Sequence, residues 1–257
     1  MCTATWFFTE HGYELFFNRD ELRARRRALP PTPFTAETHR ALAPTDADAG
    51  GTWLAGNEQG LTVALLNRYQ DSADPTTADR RRSRGLLVRD LAASADADDL
   101  RRRLETMDLS LYAPFTLLVL TADTGRAVTC HWDGRRLSAA REAVAPLASS
   151  GHEPLTVPLN RRDLWSRIAK VDRDACLTFH RSHEPERGAQ SPCMHRYDAR
   201  TVSLTHVEVA ADRVRMAYAD GPPCTATLEP AAELDRAGRS AASLKGPTKT
   251  AGDADAA

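Results

Sequence analysis

The second residue of the chain is a cysteine, and its position gives it chemical interest. Cytosolic processing removes an initiator methionine that precedes a small side chain, which would leave Cys2 with both a thiol and a free α-amine. An α-amine titrates near about 8 and an ordinary thiol near about 8.5, so moving a proton from sulfur to nitrogen costs little. One residue then supplies nucleophile and base together, the arrangement of N-terminal-residue nucleophiles. The plainer alternative is that Cys2 is simply the second residue of a buried edge strand. A second set of reactive side chains lies late in the chain: His180 and His183, then Cys193 and His195. These are zinc-ligand types, but HxxH followed by CxH matches no compact zinc pattern, and a charged loop leading into a strand accounts for it. No metal ligand is assigned, and no cofactor is expected.

The elements that must position Cys2 follow from the hydrophobic pattern. Residues 3–9 and 13–17, divided by Glu10-His11-Gly12, read as an antiparallel hairpin. Residues 23–51 hold Pro30, Pro31, Pro33 and Pro44 and read mostly as loop. Residues 52–55 and 61–67 form a second hairpin, and an arginine-rich polar loop runs on to Ser83. Helical spacing begins near Arg84, with Leu86, Leu87 and Leu91 on one face, then Leu100, Leu104 and Met107 on another. Strands return at 115–121 and 127–132, with Asp133-Gly134 turning into a third at 135–141. Asn160 is placed to cap a helix over 162–176. Strands at 193–196, 201–209, 214–218 and 224–228 complete the domain. Past Glu229 the chain is rich in Ala, Gly, Ser, Lys and Asp, and 230–257 reads as a disordered tail after a domain of residues 1–229. This order implies an α+β protein, with antiparallel sheets covered by helices.

Around Cys2 stands a set of short motifs. The chain opens MCTATWFF, and Asn18-Arg19-Asp20-Glu21 follows the first hairpin. Gly50-Gly51-Thr52-Trp53-Leu54, then Gly60 with Val63-Ala64-Leu65-Leu66-Asn67, then Arg82-Ser83-Arg84-Gly85 come after it. In order and spacing these resemble the NRDE family, relatives of the transport-and-Golgi-organisation proteins, closely over the first third and loosely beyond. That family is similar, more distantly, to the cysteine N-terminal-nucleophile (Ntn) amidases such as bile-salt hydrolases and penicillin V acylases. The resemblance implies an αββα sandwich of two antiparallel sheets flanked by helices. It also implies roles: Cys2 as nucleophile, Asn67 as oxyanion donor, Arg19 and Asp20 setting the charge around thiolate and α-ammonium. The amidases read Arg-Asn-any-Asp where this chain reads Asn18-Arg19-Asp20-Glu21, so whether Asp20 or Glu21 faces Cys2 stays open. Where the amidases carry a later Asn, this chain offers Ser150, and Arg187 is the nearest match to their last Arg; both would contact substrate.

Composition fits this reading and excludes others. Of 257 residues, 42% are hydrophobic and 27% charged, with a formal net charge of -1, so no global field draws nucleic acid or an anionic membrane. Basic runs at 23–27, 80–82 and 101–103 lack interleaved aromatics and read as solvated surface. No apolar stretch is long enough to span a bilayer, and residues 3–8 lack the basic flank of a secretory signal. Five cysteines without framework spacing read as free thiols in a reducing cytoplasm. The reading is therefore a cofactor-free hydrolase of a non-peptide amide, acting on a small amide or acyl substrate through a thioester on Cys2. Its alternative is a carrier on the same fold for an acylated metabolite or for haem, which eukaryotic members of the family have been linked to. No CxxCH haem-attachment motif is present, and Trp6, Trp53, Trp132, Phe7 and Phe17 read as core rather than as a ligand cage.

Overall fold

In the computed structural model, which describes residues 2–69 and 82–237, thirteen strands form two wholly antiparallel sheets. The first contains β1 (Cys2–Thr9), β2 (Gly12–Leu22), β10 (Leu147–Ser149), β11 (Ala199–Val209), β12 (Arg213–Ala219) and β13 (Glu229–Asp235), in the order β10-β1-β2-β11-β12-β13. The second runs in chain order through β3 (Leu29–Ala36), β4 (His39–Thr45), β5 (Leu54–Asn57), β6 (Leu61–Asn67), β7 (Phe115–Thr121), β8 (Arg126–Trp132) and β9 (Arg141–Glu142). Helices α1 (Arg84–Leu91) and α2 (Ala97–Thr106) cover the outer face of the second sheet, and α3 (Thr156–Ser166) and α4 (Arg173–Arg181) that of the first. This is the αββα sandwich that the resemblance implied.

Strand alternation builds the layers. On β2, Tyr13, Leu15 and Phe17 point between the sheets, where they meet Leu54, Leu66, Leu118 and Met216. Phe16 points outward, against Cys176 of α4 and Leu204 of β11. On the other sheet Val63 and Leu65 lie under Leu87, Val88 and Leu91 of α1, whereas Ala64 and Leu66 face the central layer. Cys2, Ala4 and Trp6 also face that central layer.

Several expected boundaries are corrected. Residues 23–51 are not mostly loop but hold the hairpin β3–β4, and β3 can carry Pro30, Pro31 and Pro33 because it is an edge strand whose outer N–H groups need no partner. The strand expected at 135–141 shrinks to β9. The helix expected at 162–176 is two helices: Asn160 lies inside α3, and Asp172, not Asn160, provides the capping oxygen, accepting from Ala175 N at the start of α4. The expected strands at 193–196 and 224–228 are loop, apart from a bridge between His195 and Arg200. The chain beyond Glu229 is not tail from its first residue: β13 pairs with β12, and Arg236 is buried, bonding Ala210 O and Asp123. Met1, most of the arginine-rich loop before Ser83 and residues 238–257 lie outside the described residues. The basic runs behave as surface: Arg25, Arg27, Arg101, Arg102 and Arg103 each pair with a carboxylate.

Two buried groups on the outer face of the first sheet couple the fold to pH. Burial pushes the Glu14 carboxyl up, but bonds from His206 (3.0 Å) and Arg173 (2.8 Å) prevail and hold it at about 2. Burial, helped by the Arg161 charge, drives the His180 imidazole down to about 3, so it stays neutral. For His180 the unfolded chain takes up a proton below about 6.5 that the folded chain refuses until about 3. For Glu14 the stabilisation is complete above about 4.5 and is lost as pH falls towards about 2. Both signs agree. The urea midpoint should therefore fall continuously below pH about 6.5. Glu14→Gln should flatten the part below pH about 4.5, where of order 3 kcal/mol is at stake. A midpoint that held steady between about pH 6 and 3 would contradict this assignment.

Candidate active site

The first hairpin sets Cys2 opposite Arg19 on β2, while β10 sets it opposite Ser149 on its other side. The four residues of the NRDE tetrad are thereby divided between two faces. Arg19 continues the inward row of Phe17 and Leu15. Its guanidinium lies 4.5 Å from the Trp53 ring and donates to Asp46 at 2.7 Å and Glu21 at 3.2 Å. Asn18 and Asp20 point outward. The Asn18 amide donates to His180 O and Pro192 O, both at 2.9 Å, while Asp20 accepts from Thr201 Oγ1 at 2.6 Å and faces Arg161 at 3.4 Å. So Arg19 and Glu21 share the Cys2 side of the sheet and the Asp20 carboxylate lies behind it, although a main-chain hydrogen bond links Asp20 to the Cys2 sulfur.

Close backbone packing explains the glycines of the neighbouring motifs. A side chain on Gly51 would meet the Gly85 carbonyl carbon at 2.4 Å, and Thr52 N donates to Gly85 O at 3.0 Å. Gly50 has φ +66, a left-handed turn that glycine adopts without strain. The GGTW and RSRG segments therefore press the start of α1, capped by Ser83, against the entry to β5. Between them and the hairpin opens a cleft of about 490 Å³, walled by Cys2, Arg19, Asp46, Trp53, Asn67 and Arg84 among others.

Asn67, the last residue of β6, stands where this charged cleft meets a second recess of about 450 Å³ lined by Leu147, Ser149, Pro154, Leu155, Pro158 and Leu159. Its amide donates to the Tyr69 hydroxyl at 3.0 Å, which leaves one N–H for another acceptor. Ser150 also lines the recess, but its hydroxyl donates to His152 O and accepts from His152 N. One residue earlier, Ser149 is the direct neighbour of Cys2, and its buried hydroxyl has no hydrogen-bond partner among the described residues. Arg187 is exposed and lines neither space, so the fold does not bring it to Cys2. The buried guanidinium behind the tetrad belongs instead to Arg161 of α3, fully enclosed, donating to Thr3 Oγ1, to Ser191 O at 2.8 Å and to Asp20. Sequence reasoning passed over it because Arg161-Arg162-Asp163 reads as a solvated helix face.

Burial raises the Cys2 thiol above its ordinary value, and the Asp20 charge adds to this. The charge of the chain's N-terminus, then Arg19 and the main-chain bond from Asp20, pull the other way without overcoming it. The site can thus hold a thiol, a guanidinium and an amide donor around one space, but a thiolate there needs a local proton acceptor. Of the late His and Cys residues, His180 turns into the α4 interface to bond Thr5 Oγ1 at 2.9 Å. His183, Cys193 and His195 gather with Cys224, and none of the four lines the cleft.

Two layers of antiparallel sheet between helices make an Ntn-hydrolase-like αββα fold. Two crystal structures of variants of the conjugated bile acid hydrolase from Clostridium perfringens share it. One matches with TM-score 0.52 and 10% identity over 90% of this chain and 97% of that one. The other matches with TM-score 0.52 and 11% identity over 91% and 96%. The family model described as Transport and Golgi organisation 2 matches residues 1–174, and the chain belongs to that family. A search of curated proteins finds no match.

Proposed function

We propose that the protein is a cysteine Ntn amidohydrolase that cleaves a non-peptide amide through a thioester on Cys2. The observation that carries this reading is the convergence of Cys2, Arg19 and Asn67 on one cleft, with the nucleophile on the strand beside the tetrad. Removal of Met1 frees the α-amine of Cys2, which is the local proton acceptor the buried thiol lacks. The amine takes the thiol proton, and sulfur attacks the amide carbon. The remaining Asn67 N–H donates to the oxyanion. Collapse expels the amine, which leaves with the proton from the α-ammonium. Water then attacks the thioester with the α-amine as base, releasing a carboxylic acid and restoring the thiol. The apolar recess suits an acyl chain, since Leu155 and Leu159 offer it exposed side chains, and the charged cleft suits the polar remainder of the substrate. Arg19 favours the thiolate, and Asp20 and Arg161 fix the tetrad from behind.

A carrier of an acylated metabolite or haem is the second reading. Its support is the burial of Cys2, which disfavours the thiolate while no α-amine stands beside the sulfur. Intact mass of the full chain separates the two. The enzyme reading expects loss of Met1 and prompt labelling by an electrophile at Cys2, absent in Cys2→Ser. A retained or acetylated Met1 would defeat the self-activated mechanism and favour the carrier.

A further inference from the structure

The cluster of His183, Cys193, His195 and Cys224 lies beyond the stretch matched by the family model and is separate from the cleft of Cys2. His183 follows the end of α4, Cys193 and His195 occupy the loop before β11, and Cys224 sits in the connection between β12 and β13. Three separate segments thus meet at one point.

We propose that these four side chains form a structural zinc site of the Cys2His2 type. One ligand atom from each residue lies within 4.8 Å of all the others. The Cys193 and Cys224 sulfurs each stand 3.5 Å from His195 Nε2. A tetrahedral ion with Zn–S of about 2.3 Å and Zn–N of about 2.05 Å needs sulfur and nitrogen about 3.5–3.6 Å apart, so these two edges already have the right length. The fourth ligand is independently marked: His183 Nε2 is buried and has no hydrogen-bond partner among the described residues, a state that a buried polar atom seldom keeps without a further ligand. Cys193 is fully buried and all five cysteines are free thiols, so both sulfurs are available as ligands.

Two thiolates and two imidazoles in a tetrahedron select zinc over the hard, oxygen-seeking cations. Four protein ligands complete the coordination and leave no open position for water or substrate, so the role is structural. Binding displaces one proton from each thiol, and the two thiolates balance the charge of the ion. The loop that carries Cys193 also presents Pro192 O to Asn18, and Ser191 O and Ala189 O to Arg161. The ion therefore holds the segment on which the back of the tetrad rests. This role stands whether or not Cys2 turns over an amide.

The test uses the full chain, without a histidine tag, purified under reducing conditions. Elemental analysis is expected to give one zinc per chain. Replacement by cobalt should produce the visible bands of a tetrahedral Co(II) ion together with sulfur-to-cobalt charge transfer. Cys130→Ser, in a different layer, should keep both signals, and the double variant Cys193→Ser with Cys224→Ser should lose both. Because that variant is at risk of not folding, His183→Asn supplies a milder arm. It should stay folded by circular dichroism while losing zinc to a competing chelator by more than the about 10–100-fold typical of disturbing an outer-shell partner. The proposal is overturned if the folded, reduced protein takes up no stoichiometric zinc, if binding survives loss of both cysteines, or if mass analysis of the reduced preparation shows Cys193 joined to Cys224 in a disulfide.

Discussion

Cys2→Ser is expected to reduce hydrolysis of an amide substrate to the background rate, and Asn67→Ala to slow it by roughly 10²–10³ while leaving the thiol reactive. The two effects differ because the residues act at different points. A serine hydroxyl is far more basic as an alkoxide than a thiolate, and an α-amine titrating near about 8 cannot hold its proton. On the proposed mechanism Asn67 instead contributes an N–H to the oxyanion from the junction of cleft and recess. A strong electrophile alkylates Cys2 without needing that N–H, because it forms no oxyanion of comparable charge. Labelling of Asn67→Ala by an alkylating probe should therefore match wild type within a few-fold while amide turnover falls. Equal amide turnover by Asn67→Ala and wild type would remove Asn67 from the mechanism even if Cys2 remained essential. In a carrier, both variants would keep ligand affinity and the wild type would cleave nothing.

Arg161→Met is expected to be the most damaging change remote from the cleft, lowering stability by about 3 kcal/mol in urea denaturation. Arg161 and Asp20 are both fully enclosed, and removing one member of a buried ion pair leaves the other charge in a medium that solvates it poorly. The same change withdraws the donors facing Ser191 O, Ala189 O and Gln190 O. Arg187→Ala is the matched comparison, because Arg187 is the arginine the family resemblance pointed to, yet it is exposed; its effect should stay within about 0.5 kcal/mol. If Arg187→Ala proved the more destabilising of the two, the placement of the buried guanidinium would be wrong.

The contrast between these two arginines shows what the sequence could disclose. Cys2, the tetrad and the strand ending at Asn67 were legible because each lies in a short segment whose alternation is unbroken, and the hairpin needs only its turn at residues 10–11 to set the Cys2–Arg19 register. Register also sets Glu21 with Arg19 and turns the Asp20 carboxylate to the opposite face, where the permuted motif had left open which of the two acids faces Cys2. Arg161 was hidden because burial of a charge is decided by a partner 141 positions away in the chain, not by helical pattern. Cys224 escaped notice for the same reason: it joins His195 from 29 residues downstream, through a turn that local spacing cannot anticipate. The β3–β4 hairpin was lost to its prolines, which argue against a strand only where both edges of that strand are paired.

The divided tetrad also has a consequence for the order of events during synthesis. Asn18 finds its acceptors 162 and 174 residues further along the chain, at His180 and Pro192, and Asp20 meets Thr201 after 181. Contacts this distant in sequence form late, after the intervening loops have closed. A growing chain that has released its first 174 residues, the whole span of the family match, can pair β1 with β2 but has nothing to anchor Asn18. The Cys2–Arg19 pairing can thus form first, while Asn18 and Asp20 gain these partners only once residues 180–201 have emerged.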